Sequence, residues 1–248
     1  MIKSFDIGFI LFAYNEEKNL TILLERIIDT LKFNKKVKKV FISICIQGNY
    51  DSVKEIKNLK SKYTEEVKFN ISYIYFKQPL GIKKAFQKSY ENLPKNIENF
   101  ITMDCDLNHD PRELNKLLEK FSEGFDIVIG SRYCEGGKII GMPYWKKSLS
   151  VLFNKFISLI LKFPVIDKTS GFRIIKHKEL NKIIQNTNSS GFPFYSEFLM
   201  ILKNQDKKIV EVPITFKKRV TGVSKMRIMK TIFDYLYLFY LIIFKIKK

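Results

Sequence analysis

The sequence predicts a doubly wound α/β fold, a mostly parallel sheet flanked by helices, with an amphipathic helix at the C-terminal end. Two observations carry this expectation. Short apolar runs that read as buried strands alternate with segments of helical period along the first half of the chain. The 248 residues are also 46% hydrophobic, enough for one large α/β domain or two small ones. No internal repeat or low-complexity linker breaks the pattern. The expected organisation is one domain, 1–223, followed by a C-terminal extension, 224–248.

Asp6 to Phe12 is a continuous apolar run, as a parallel strand buried on both faces requires. Asn15 can cap the following helix, with Glu16 and Glu17 in its first turn. Leu20, Leu23, Leu24, Ile27, Ile28 and Leu31 then recur at helical spacing. Val40 to Ile46 is the second strand, and Gln47-Gly48-Asn49-Tyr50-Asp51 turns into a helix from about Ser52 to Tyr63. Val67 to Phe76 alternates and is β-branched and aromatic, a third strand. Pro79-Leu80-Gly81 is a turn before a helix over Ile82 to Asn92. Phe100 to Met103 is the fourth strand, with a helix from Pro111 to Phe121; Phe125 to Ile129 is the fifth, leading into Gly130-Ser131-Arg132.

The second half differs. Trp145 to Phe163 reads as a basic, strongly apolar helix stopped by Pro164. Asp167 to Arg173 is a polar turn entering a short strand, with helices near Lys178 to Ile184 and Tyr195 to Lys203. Lys208 to Val212 and Ile214 to Lys218 are short strands around Pro213, and Ser224 opens a last helix.

The formal net charge of +19 favours anionic partners: nucleic acid, acidic membrane or phosphorylated substrates. A Lys-rich compositional bias explains the charge equally well. Nucleic acid is not expected, because zinc spacing, base-reading helices and RNA-binding aromatic signatures are missing. Arg26, Arg112, Arg132, Arg173, Arg219 and Arg227 are all the arginine there is. In so Lys-rich a chain, an Arg points to a site wanting a planar, two-pronged donor. Cys45, Cys105 and Cys134 are odd in number and scattered, which suits a reducing compartment. Ile7 to Phe12 is too short for a secretory leader, and Tyr14-Asn15-Glu16-Glu17 follows it instead of a cleavage site.

The chemistry centres on Asp104 and Asp106, at the end of the fourth strand. Spaced i, i+2, they point the same way on an extended backbone. Like charges so placed call for a cation or a proton, and hard carboxylate oxygens suit Mg²⁺ or Mn²⁺. The plainer alternative makes Asp104 a turn or capping residue and leaves Asp106 solvated. Cys105 should face the other way and pack, and His109 should be structural.

In their order, the motifs resemble those of family 2 inverting glycosyltransferases with a GT-A (Rossmann-like) fold, closest to polyprenyl-phosphate (dolichyl-phosphate) mannose or glucose synthases. Ala13-Tyr14-Asn15-Glu16-Glu17 resembles a Pro-x-Tyr-Asn-Glu opening, and Asp104-Cys105-Asp106-Leu107-Asn108 an Asp-x-Asp metal motif with Asn in the usual Gln position. Gly130-Ser131-Arg132-Tyr133 with Gly136-Gly137 resembles an acceptor-side loop. Asp167-Lys168-Thr169-Ser170-Gly171-Phe172-Arg173 closely matches Asp-x-Thr-Ser-Gly-Phe-Arg, and Glu211-Val212-Pro213-Ile214, Arg219 and Gly222-Val223-Ser224-Lys225 resemble the closing motif. The departure is at Gln47-Gly48-Asn49-Tyr50-Asp51, where paired acidic residues usually hold the nucleotide; only Gly48 and Asp51 match. Gln47 can still hydrogen-bond a base edge.

The resemblance implies transfer of a mannose or glucose from a GDP- or UDP-hexose to a polyprenyl phosphate, with Mg²⁺ or Mn²⁺ as cofactor. It implies Asp104, Asp106 and Asn108 as metal ligands. It implies Ala13, Tyr14, Glu16, Gln47, Asp51, Asp104, Arg219 and Lys225 as donor-binding residues, and Asp106, Arg132, Lys146 (or Lys147) and Glu197 as catalytic ones, the last three on the acceptor side. For the cations the alternative is a solvated basic face, and for Glu197 it is helix capping. A saccharide acceptor would need a general base, for which Glu197 is the candidate. A non-catalytic, membrane-associated homologue is the third reading.

Tyr235 to Phe244 is an apolar stretch of only roughly 15 Å of helix, where a span needs about twenty residues. Lysines flank it. Peripheral docking on the cytoplasmic face of a membrane is therefore expected; packing on the core or on a membrane partner subunit is the alternative.

Overall fold

Strand β1 (Phe5–Tyr14) runs through the interior, and the first half of the chain winds around it. The computed structural model describes residues 4–63, 68–161, 165–202, 205–219 and 228–245. After β1 come α1 (Glu17–Leu31), β2 (Val37–Gln47), α2 (Asp51–Lys62), β3 (Phe69–Phe76), α3 (Ile82–Glu91) and β4 (Asn99–Thr102). A 3-10 turn (Pro111–Glu113) leads to α4 (Leu114–Ser122), β5 (Ile127–Ser131), β6 (Lys138–Ile140) and α5 (Tyr144–Leu161). The remaining elements are β7 (Arg173–Lys176), α6 (His177–Asn186), α7 (Phe194–Leu202), β8 (Ile209–Pro213), β9 (Thr215–Lys217) and α8 (Ile228–Lys245).

The main sheet has the order β3-β2-β1-β4-β7-β5-β8. Its strands are parallel except β7, which runs antiparallel to β4 and β5. The apolar stripe of α1 is fully buried against one face, through Leu20, Leu23, Leu24, Ile27, Ile28 and Leu31. Phe86 of α3 and Phe194 and Phe198 of α7 bury against Ile10 and Phe100 on the other. The strand order reverses between β1 and β4, and ligands of open α/β sheets bind outside the carboxyl ends of strands at such a point. Both segments that leave the sheet there, Asn15-Glu16 and Asp104-Cys105-Asp106, carry acidic residues.

Two local readings change. β6 was not legible: it has three residues and exists by pairing with β9 in a separate two-stranded ribbon. Asn15 does not cap α1, whose N-cap residue is Glu16. Asn15 instead takes a left-handed conformation, φ 50°, and its Oδ1 accepts from the backbone N–H of Asn49 at 2.7 Å. This ties the end of β1 to the end of β2, and Gly48 is required there: at φ 86°, a Cβ would lie 2.1 Å from Asn15 Oδ1. The last helix is described only from Ile228, so the 223/224 boundary lies outside the described residues. Helix α8 packs on α5 through Tyr235 against Phe153, ring centroids 4.1 Å apart, and Phe239 against Phe156.

Candidate active site

The two carboxylates meet by a turn, and not by the extended backbone expected from their spacing. Strand β4 stops at Thr102, and the segment after it turns at Leu107, in left-handed conformation with φ 61°. The reason is the loop's own bonding: Asp106 accepts from the backbone N–H of Asn108 and from Asn108 Nδ2, both at 3.0 Å. Asp106 is buried and Asp104 retains 38% of its side-chain exposure. Cys105 lies in the core, as expected.

Burial, with Asp104 close by, pushes the Asp106 carboxyl up to about 6. A cation relieves this strain. In the structure that cation is Arg219, whose Nη2 donates to Asp106 Oδ2 at 2.6 Å and whose Nη1 lies 3.7 Å from Glu16 Oε1. One guanidinium thus joins the carboxyl ends of β1 and β4. The site fits a divalent ion by its donor set. Two carboxylates converge there, and Asn108 Oδ1 is a buried acceptor with no hydrogen bond among the described residues. Among the described residues no group of three or more His, Cys, Asp and Glu side chains converges, so a metal would draw its remaining ligands from substrate. His109 is not among the ligands: it is buried between Phe172 and Phe216, and burial holds its imidazole down at about 4, hence neutral.

A second arginine whose charge acts on Asp104, Arg132, follows β5. Its Nε and Nη2 make a two-pronged pair with Asp167 at 2.7 Å each, and Nη2 also reaches Thr169 Oγ1 at 2.6 Å. The partial burial of Asp104 pushes its carboxyl up, and the nearby charges of Arg132 and Arg219 pull it back. Asp167 itself is set by Glu211 of β8, which accepts from the backbone N–H groups of Ile166 and Asp167 at 2.6 and 2.8 Å. Sequence reasoning singled out Arg132 but gave no role to Asp167 or Glu211; the signal was their place in the Asp-x-Thr-Ser-Gly-Phe-Arg and Glu-Val-Pro-Ile stretches.

The partners of Glu197 favour the structural alternative over the acceptor-side one. Glu197 is buried, and its carboxylate accepts from the backbone N–H groups of Asn188 and Ser189 at 2.8 and 2.7 Å and from Asn188 Nδ2 at 3.3 Å. Ser190 in turn accepts from Ile82 N–H at the start of α3. Glu197 therefore orders a loop, and three of its roughly four lone-pair sites are already occupied. We expect Glu197→Gln to cost about 1–3 kcal/mol, read as a fall in Tm, while the folded fraction keeps its kcat. An unchanged Tm with lost kcat would return Glu197 to acid–base chemistry.

Of the residues expected on the donor side, Ala13 is buried in β1, Tyr14 is exposed at 38%, and both register beside Ile46 and Gln47 of β2. Gln47 is buried, and its Oε1 accepts from the backbone N–H of Leu80 at 2.7 Å, which leaves its NH₂ as the outward donor. Asp51 stands exposed at the rim, paired with Lys54 at 3.0 Å. Lys225, with Gly222 and Ser224, lies outside the described residues, and so does the Lys146 side chain. Lys147 is exposed on α5, in a shallow groove of about 430 Å³ with Tyr144, Val151 and Lys155.

Comparison with known proteins places this geometry. The family model described as Glycosyl transferase family 2 matches residues 9–184. The chain is 31% identical over 233 residues to the dolichol-phosphate mannosyltransferase of Pyrococcus furiosus, a match covering 93% of this chain and 61% of that protein. It is 28% identical over 216 residues to the polyprenol monophosphomannose synthase of Mycolicibacterium smegmatis, covering 86% of this chain and 78% of that one. The chain thus spans about three-fifths of the length of the Pyrococcus protein. Among solved structures, glucosyl-3-phosphoglycerate synthase from Mycobacterium tuberculosis in complex with UDP superposes with a TM-score of 0.62 at 15% identity, over 92% of this chain and 75% of that one. At that identity the likeness is one of fold, and the fold is GT-A, Rossmann-like.

Proposed function

The chain belongs to glycosyl transferase family 2, and we propose that it transfers a hexose, mannose or glucose, from a GDP- or UDP-sugar to a polyprenyl phosphate. The observation that carries the reading is the anionic pair Asp104 and Asp106 at the strand-order reversal, with the charges of Arg219 and Arg132 acting on it. Such a site suits two phosphate-bearing substrates that must be brought together.

Asp104 and Asp106, with Asn108 Oδ1, would hold Mg²⁺ or Mn²⁺. When bound, the ion supplies Lewis-acid stabilisation of the departing nucleoside diphosphate. The chain's own groups do the rest. Arg219 lies where a diphosphate would lie, and leaves Asp106 to meet it; Lys225 is proposed beside it. Gln47, two strands from β4 and hence roughly 10 Å away, offers its NH₂ to an acceptor atom on the base, with Tyr14 and Asp51 at the rim. A phosphate monoester's second pKa is about 6, so the acceptor is already ionised and needs no general base. This agrees with the engagement of Glu197 by backbone N–H groups and weighs against a saccharide acceptor. What the acceptor needs is positive charge that orients it. Arg132, its plane fixed by Asp167, and Lys147, with Lys146 on the same turn, are proposed for that task.

The experiment is a screen of UDP- and GDP-sugars against a polyprenyl phosphate with Mg²⁺ or Mn²⁺, reading out glycolipid. Glycolipid formed from one donor and abolished by chelation is the expected result. Transfer to free saccharides, or no transfer from any donor, would overturn it.

We further propose peripheral contact with the cytoplasmic face of a membrane through α5 and α8. No helix among the described residues is long and apolar enough to cross one. The two packed helices nevertheless expose Leu152, Leu159, Phe233, Leu236 and Tyr237 at 54–76%, beside Lys147 and Lys155. Apolar surface rimmed by lysine suits an anionic bilayer. Tyr235, Leu238 and Phe239 hold α8 to α5 from its buried side, so removing the helix would disturb packing as well. Point changes test the face more cleanly. Phe233→Ser with Leu236→Ser should weaken flotation with anionic vesicles by about tenfold or more at unchanged Tm. Undiminished flotation would remove this face from the membrane contact.

A further inference from the structure

Helix α7 places Tyr195 beneath the carboxylate pair, and its hydroxyl is an anomaly. Tyr195 is 4% exposed, and its Oη is buried without a hydrogen-bond partner among the described residues. Leaving such a group unpaired costs about 1–3 kcal/mol, so its retention asks for a partner. The ring cannot swing away to find one in solvent. It stacks on the Arg173 guanidinium, 5.3 Å from centroid to Cζ, and edge-on against Phe194. Arg173 is itself fully buried and anchored by donating to the carbonyls of Ser170, Lys168 and Tyr195.

Across from the hydroxyl stands a matching acceptor. Among the described residues, Asp104 accepts no hydrogen bond; its nearest recorded polar neighbour is the neutral His109, 3.6 Å away. Both groups border the same small space above Gly171. A Cβ built on Gly171 would lie 3.0 Å from Tyr195 Oη and 3.2 Å from Asp104 Oδ1. The glycine leaves that space open. Thr102 Oγ1, at the end of β4, donates to the Gly171 carbonyl at 2.5 Å and fixes the distance between the two segments.

We propose that Tyr195 is a positioning residue for the metal site: its hydroxyl donates to Asp104 Oδ1, directly or through one water, when Asp104 turns its other oxygen to a divalent ion. A carboxylate with one oxygen so held presents the other in a fixed direction. Partners of this kind commonly contribute ten- to hundredfold in metal affinity. The inference rests on the metal-dependent reading given above.

The test is Mn²⁺ binding, without nucleotide or turnover, followed by electron paramagnetic resonance of free Mn²⁺ on the full chain, together with the Tm of the metal-free protein. Tyr195→Phe should lower Mn²⁺ affinity about tenfold or more and leave the metal-free Tm unchanged or higher, since it removes an unpaired buried hydroxyl. Gly171→Ala, at a backbone conformation that alanine tolerates, should lower affinity likewise by putting a methyl between the two groups. Wild-type affinity in Tyr195→Phe would overturn the assignment, and so would a lower metal-free Tm at unchanged affinity, which marks a packing role. A wild-type protein that binds no Mn²⁺ overturns this inference together with the metal-dependent reading; binding by wild type and Tyr195→Phe alike overturns this inference alone.

Discussion

Asp106→Asn is expected to reduce transfer by about 10²–10³-fold or more, roughly 3–4 kcal/mol of transition-state stabilisation, with little change in Tm. Three donors converge on this carboxylate: Arg219 Nη2, and the backbone and side-chain N–H groups of Asn108. An asparagine keeps the shape but loses the charge, and its own NH₂ must face one of those donors. Arg219 is then left with Glu16, 3.7 Å away, as its recorded anionic neighbour. Stability suffers little because the native pair is itself strained. Burial and Asp104 together hold the Asp106 carboxyl at about 6, and neutralising it removes a like-charge repulsion that offsets the lost hydrogen bond. Asp104→Asn should lose activity equally for a different reason: Asp104 is the half-exposed member of the pair, the one more open to a ligand cation, and would supply a charge to it. Steady-state transfer and Mn²⁺-dependent Tm shifts measure both variants. Full activity retained in both would remove the pair from the chemistry.

The contrast between Asp106 and Glu197 shows what a sequence makes legible. The strands around β1 were readable because parallel strands buried on both faces must be apolar along their length, and α1 because its buried stripe repeats at helical spacing. The carboxylate pair was readable from its place after a strand, although the turn that joins it was not: nothing local in Leu107 demands φ 61°. The partners of Glu197 were not legible, because a carboxylate near a cleft looks the same in sequence whether it meets a substrate or the backbone of residues 188 and 189. The direction of β7 was equally invisible. It follows from the long excursion through α5, which returns the chain between β4 and β5 from the opposite end. Tyr195 gave no signal, since an aromatic in an apolar helix reads as core; only the missing partner of its hydroxyl sets it apart.

The second large effect is one of stability, at Asp167. This residue is fully buried and accepts from Arg132 at the backbone N–H, Nε and Nη2, with Thr169 Oγ1 at 3.3 Å. Breaking a buried pair by neutralising one partner leaves the other charge uncompensated, which costs about 3–5 kcal/mol. Asp167→Asn should therefore lower Tm by many degrees and also disturb transfer, because Arg132 loses the group that fixes its plane beside Asp104. The acid dependence follows from the same pair. Burial alone would raise the Asp167 carboxyl, but the Arg132 charge and its hydrogen bonds outweigh that and hold it below its ordinary value. A carboxyl lowered in the folded state contributes stability that is fully present above its unfolded pKa, about 3.9. That stability is lost as pH falls through the folded pKa, since the unfolded chain binds the proton first. Wild-type stability should thus drop steeply below about pH 4, and Asp167→Asn should show a lower plateau at neutral pH with a flatter acid limb. Replacing the pair together, Arg132→Met with Asp167→Leu, should recover much of the lost stability, because two apolar groups fill the slot without an orphaned charge. It should not recover transfer, since Arg219 is then the only one of the two arginines left acting on Asp104, and the acceptor side has lost its guanidinium. A double variant as active as wild type would mean that Arg132 serves only to hold the loop, and that the acceptor phosphate is oriented by the lysines of α5 alone.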